Sequence, residues 1–172
     1  MKHSIHSPHE AAIIDSLQYQ GTTNDCAPYT IATILNALTG TKIDASALAR
    51  NMDKPVWRGV FYTIRRIPRW ATFPWGIVDV FREHGINANW GLFFSTDDLK
   101  HNLENGNLSL PIICSFHPLS AHVLTLLAWH PLKGWGFANT QHNTHRLDWI
   151  SNKQFIKQWN FTARLLIEVH IQ

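Results

Sequence analysis

Cysteine is the side chain in this sequence best suited to covalent chemistry, and there are two. Cys26 closes a polar, turn-forming run, Gln20-Gly-Thr-Thr-Asn-Asp, and a helical pattern begins at once and stops at Gly40. The cysteine therefore sits at or beside a helix N-terminus. Backbone N–H groups there lack intrahelical partners, and the helix dipole favours negative charge. A thiolate is such a charge, so the position predicts a lowered thiol pKa and a reactive sulfur. Cys114 is the contrast. It lies in the apolar run Pro111-Ile-Ile-Cys-Ser-Phe116 and reads as an inert strand thiol.

A thiol nucleophile needs a proton acceptor within hydrogen-bond reach, and histidine suits that task near neutral pH. The chain has 11 histidines, so number alone selects none. His122 is favoured by position: it opens an apolar strand, and a strand start at a sheet end can face a helix N-terminus. His117, on the adjoining loop, is its competitor. The histidine in turn needs an orienting acceptor. Asn139 follows the turn Pro131–Gly134, and antiparallel pairing across that turn brings it back towards position 126 and below. Gln20, on the loop entering the helix, can curl back as a side-chain donor to an oxyanion. Each residue also has a plainer reading: a core thiol, a satisfied half-buried histidine, a turn-forming asparagine.

The elements that must hold these residues are legible in part. Ile31, Ile34, Leu35 and Leu38 recur at helical spacing, with Pro28 in the first turn and Gly40 beyond the last. Asp44 is a candidate N-cap for a short second helix. Gly76–Gly85 reads as a helix, Ile86–Phe94 as a strand, and Ser95 with Asp98 as a capping box opening a helix to about Asn105. From Pro111 the pattern turns to strands: 111–116, 121–130 and 136–139, with 146–150 and 163–169 following and a helix over 151–159 between them. Helices first and antiparallel strands second predict an α+β domain spanning 1–172, with 1–17 as a flexible or extended lead-in.

Residues 54–78 differ in character. They carry Lys54, Arg58, Arg65, Arg66 and Arg69, no acidic residue, many aromatics and three prolines. The expectation is a covering loop whose aromatics pack inward while its arginines reach solvent, and which borders a binding groove. Trp57, Trp70 and Trp75 are its candidate substrate contacts, and its charge suggests a peptide of acidic character.

Composition bounds the rest. The 172 residues are 45% hydrophobic and 16% charged, with eight Trp, which describes a globular chain with an aromatic-rich core or groove. The net charge of +3 does not by itself imply nucleic acid. Two cysteines make no disulfide scaffold. The N-terminus lacks an apolar signal core and no run reaches the length of a membrane span, so the expected location is cytoplasmic. His3, His6 and His9 recur every third residue, but Pro8 breaks any helix that would align them. Cys114, His117 and His122 form an incomplete metal set that lacks a fourth ligand.

The Gln20…Asp25-Cys26 element, its helix of small and apolar residues, the strand opening Ala121-His122-Val and the hairpin ending in Asn139-Thr140 together resemble the papain-like cysteine peptidases. Within these the likeness is nearest to the bacteriocin-processing, double-glycine leader peptidases and their stand-alone bacterial relatives, over about residues 18–142. The resemblance implies a papain-like fold, with the cysteine at a helix N-terminus packed on a C-terminal antiparallel sheet. It implies Cys26 as nucleophile, His122 as general base and acid, Asn139 as orienter and Gln20 as oxyanion donor, acting on a peptide or protein substrate without metal or cofactor. Two departures stand out: Ala27 replaces the glycine usual after the cysteine, and Asn139 replaces a frequent Asp and is not followed by Pro. They leave open a second reading, an inactive papain-like domain that binds a peptide or protein partner.

Overall fold

The computed structural model of the chain describes residues 3–116 and 119–171. The N-terminal half runs β1 (Ile5–His6), α1 (Glu10–Asp15), α2 (Cys26–Thr39), α3 (Ala45–Met52), β2 (Val56–Arg58), β3 (Phe61–Thr63), β4 (Arg66–Ile67), β5 (Ala71–Thr72), α4 (Pro74–Glu83), β6 (Asn87–Gly91) and α5 (Thr96–Glu104). The C-terminal half runs β7 (Leu108–Phe116), β8 (Leu119–Val123), β9 (Thr125–His130), β10 (Gly134–Ala138), β11 (Asp148–Ile150), α6 (Asn152–Asn160) and β12 (Leu166–His170).

The helix ends follow local chemistry. Gly40 closes α2 in the left-handed conformation (φ 66°), and its N–H donates to the Asn36 carbonyl. The Asp44 carboxylate accepts from the N–H groups of Ser46 and Ala47, and Ser95 and Asp98 form the reciprocal capping box expected of them. Pro74 occupies the first residue of α4, where its missing N–H leaves no helical bond unmade.

Eight of the strands form one antiparallel sheet in the order β11-β10-β9-β7-β12-β6, with β1 added beside β9 and β8 beside β7. Successive residues of a strand point to opposite faces, and here both faces are covered. Leu127 and Ile167 join Ile31, Leu35, Ile77 and Phe81 in a cluster beneath α1–α4. Leu126 and Leu166, their chain neighbours, join Leu99, Leu103, Phe155 and Trp159 in a second cluster beneath α5 and α6. Double coverage explains why β9 is a continuous apolar run rather than an alternating one.

Three expectations change. The lead-in is built into the fold: β1 pairs with β9, and Ile13 and Ile14 of α1 are buried in the core. Its apolar residues are few, so the sequence alone suggests a tail; the strand that receives β1 lies more than a hundred positions later in the chain. The single strand expected over 121–130 is two, divided at Leu124, so that β8 stays paired with the outer half of β7 while β9 turns to β10.

The third change concerns residues 54–78, which are inverted relative to the expected loop. They form two small hairpins, β2–β3 and β4–β5, with Trp57, Phe61, Tyr62 and Trp70 exposed. Arg65 and Arg66 are the buried members. The carboxylates of Asp25, Asp53 and Glu83, all distant in sequence, receive those two guanidiniums, and an apolar scale applied to the segment cannot see them.

Candidate active site

Cys26 is the first residue of α2. It lines a cleft of about 330 Å³ with Gln20, His122, Trp70, Ile77 and Cys114 among the other walls. The topology brings these together. The β7–β8 hairpin supplies Cys114 and His122, the loop before α2 supplies Gln20 and Asn24, and the β4–β5 hairpin supplies Trp70, Ala71 and Thr72.

His122 is buried, and its Nε2 lies 2.8 Å from Asn139 Oδ1. The same oxygen accepts the backbone N–H of Gln141 at 3.0 Å, which identifies it as the amide oxygen. His122 Nε2 must therefore be the donor. The neutral ring then carries its lone pair on Nδ1, an atom that is buried and has no hydrogen-bond partner among the described residues. Asn139 stands just past the end of β10, and the β9–β10 register shifts between Gly136 and Phe137. That irregularity belongs to the tertiary pairing and could not be read from residue spacing.

The next residue along the chain holds Gln20. Thr140 Oγ1 donates to Gln20 Oε1 at 2.5 Å, and the Gln20 N–H donates to the Thr140 carbonyl at 2.9 Å. Gln20 Nε2 donates to the Thr23 carbonyl at 2.7 Å, which uses one of its two amide hydrogens. Behind Asn139, its Nδ2 lies 3.5 Å from His142 Nδ1, which is 2.5 Å from Asp148 Oδ2.

Burial raises the pKa of Cys26, contrary to the expectation from the helix terminus; the N–H groups of Val123 and Ala27 and the charge of Arg66 act in the opposite direction but do not prevail. Burial likewise pushes His122 down to about 4, and the Asn139 hydrogen bond only partly opposes it. Burial thus disfavours the charged form of each group, the thiolate and the imidazolium.

Of the three candidate tryptophans, Trp70 reaches the cleft and the other two do not. Trp57 packs edge-on against Tyr62, and Trp75 stacks on Phe73 and donates to the Ile64 carbonyl. Cys114, expected to be an inert strand thiol, is half-buried and lines the cleft. His117 lies outside the described residues. No group of three His, Cys, Asp or Glu side chains placed to hold a metal occurs among the described residues, and His6 bonds Glu10 at 2.7 Å.

Sequence reasoning missed Thr140, Gln141 and above all Arg66. Thr140 adjoins a candidate and was open to consideration; Arg66 gave no signal, because it is one of five basic residues in its segment.

No family model matches the sequence, and no curated protein matches it. The structure is similar to a crystal structure from Bacillus anthracis whose description assigns it as a C39-like peptidase. The TM-score is 0.73 over 99% of each chain, at 10% sequence identity. The mixed helical and antiparallel-sheet fold is thus shared along the whole chain, including the N-terminal segment.

Proposed function

We propose that this chain is a cysteine peptidase of papain-like design, related in mechanism to the bacteriocin-processing peptidases and acting on a peptide or protein amide bond. The observation that carries the reading is the His122 tautomer. Asn139 takes the Nε2 proton into a hydrogen bond and leaves the Nδ1 lone pair unpartnered, on a ring that lines the same cleft as Cys26. The full-length likeness to a C39-like peptidase supports the reading.

His122 Nδ1 takes the Cys26 proton as the sulfur attacks the substrate carbonyl. The Cys26 N–H and the second amide hydrogen of Gln20 stabilise the tetrahedral oxyanion. The imidazolium then protonates the leaving amine, and water, deprotonated by His122, releases the acyl group. Ala27 is compatible with this scheme, because it is helical and buried and is not among the residues of positive φ, where a glycine would be needed. Trp70 forms a wall of the substrate cleft.

The test is hydrolysis of a fluorogenic peptide library, with a thiol-directed probe followed by peptide mass spectrometry. Cys26→Ala is expected to abolish both turnover and probe capture at that position. Loss of His122 is expected to lower kcat/KM by about 10²–10⁴-fold. Turnover that survives Cys26→Ala would overturn the assignment.

A further inference from the structure

Asp25 is the N-cap residue of α2, yet its side chain makes no capping hydrogen bond. A capping aspartate accepts from the N–H of the second or third helical residue. Here those residues are Ala27 and Pro28, and proline has no N–H. Only the Ala27 donor is open to capping, and that donor adjoins the sulfur of Cys26. A carboxylate seated there would occupy the donor and set a negative charge beside the nucleophile.

The carboxylate is drawn elsewhere. Arg66, only 1% exposed, donates through Nη2 to Asp25 Oδ1 at 2.5 Å, and its Nε lies 3.2 Å from Asp53 Oδ1 at the end of α3. Its Nη1 is buried without a hydrogen-bond partner among the described residues. Arg66 belongs to β4, and the connection of the same hairpin is tied to the nucleophile loop a second time, through Asn24 Nδ2 to the Arg69 carbonyl at 3.1 Å. A buried cation held against two carboxylates costs desolvation, so the arrangement is weak evidence for a purely stabilising role.

We propose that Arg66 is a positioning residue for the nucleophile: it holds the Asp25 carboxylate off the N-terminus of α2, leaving the Ala27 N–H to the Cys26 sulfur and the Cys26 N–H to an anion in the cleft. The inference rests on Cys26 being the nucleophile. The electrostatics agree, since Arg66 favours the thiolate and Asp25 disfavours it. The charged groups around the pair are Asp25 and Asp53 on Arg66, and Arg65, which is engaged by Glu83; the titratable ring of His122 lines the same cleft.

The experiment measures the rate of Cys26 alkylation by iodoacetamide against pH, located by peptide mass spectrometry, in the full chain. R66M is expected to raise the pH midpoint by about one unit and to slow alkylation about tenfold below it. Removing the second partner, in R66M/D25A, is expected to return the midpoint towards the wild-type value. A purely architectural arginine predicts the reverse, with the double variant as slow as R66M or slower, and that result overturns the proposal. An unchanged midpoint in folded R66M overturns it as well. Should R66M not fold, R66K serves: a partial rise reversed by D25A supports the proposal, while no rise, or a rise that D25A leaves in place, overturns it. The nucleophile reading fails on a separate result, peptide turnover that survives Cys26→Ala, so the two failures are distinguishable.

Discussion

At the scale of single residues, the site depends on two adjacent positions, Asn139 and Thr140. One fixes the tautomer of His122 and the other holds Gln20. Burial of His122 has a consequence for stability. Its folded pKa of about 4 lies below the ordinary 6.5, so between these values the unfolded chain binds the proton that the folded chain refuses. The contribution is present above pH 6.5 and is lost as pH falls towards 4, to a total of about 3 kcal/mol. Urea unfolding at pH 7 and pH 4 is expected to show this loss in the wild type, and His122→Gln to show a loss smaller by about that amount. Equal acid sensitivity of the two proteins would mean that His122 titrates normally and is not buried as described.

At the scale of elements, the β4–β5 hairpin and the first turn of α4 both line the cleft, and the Phe73 N–H donates to the Arg65 carbonyl at 3.0 Å. Gly76 lies directly against the backbone of Arg65, and an added Cβ would stand 2.3 Å from the Arg65 carbonyl oxygen. The obstructing atom belongs to the chain itself and cannot rotate away. Gly76→Ala is therefore expected to destabilise by about 1–3 kcal/mol, measured by denaturant unfolding. Because Arg66 is the next residue, the same change is expected to slow Cys26 alkylation. Normal stability with normal alkylation would show that α4 can shift without moving the hairpin.

At the scale of the whole molecule, charge and apolar surface are distributed in an unusual way around residues 54–78. Two arginines lie inside, while Trp57 is 63% and Phe61 73% exposed. Side chains with so little buried area contribute little to folding, so Trp57→Ser with Phe61→Ser is expected to leave unfolding free energy within about 0.5 kcal/mol of wild type. A loss of several kcal/mol would restore the inward-packed loop that hydrophobicity alone suggests. No helix among the described residues is long and apolar enough to cross a membrane.

What the sequence by itself determined is local. The α2 pattern from Cys26 to Gly40, the Asp44 cap, the Ser95–Asp98 capping box and the α+β class all depend on neighbours within a few positions, where helical period and cap chemistry act. Cys26, His122, Asn139 and Gln20 were legible as candidates because residue type and place on an element restrict the choice. The tertiary structure decided what joins them. The shifted β9–β10 register sets Asn139 on His122, burial outweighs the helix terminus at Cys26, and three distant carboxylates draw Arg65 and Arg66 inside while the tryptophans near them turn outward. Desolvation and ion pairing depend on groups brought together from far along the chain, and a run of residues carries no record of which distant partner will stand beside it.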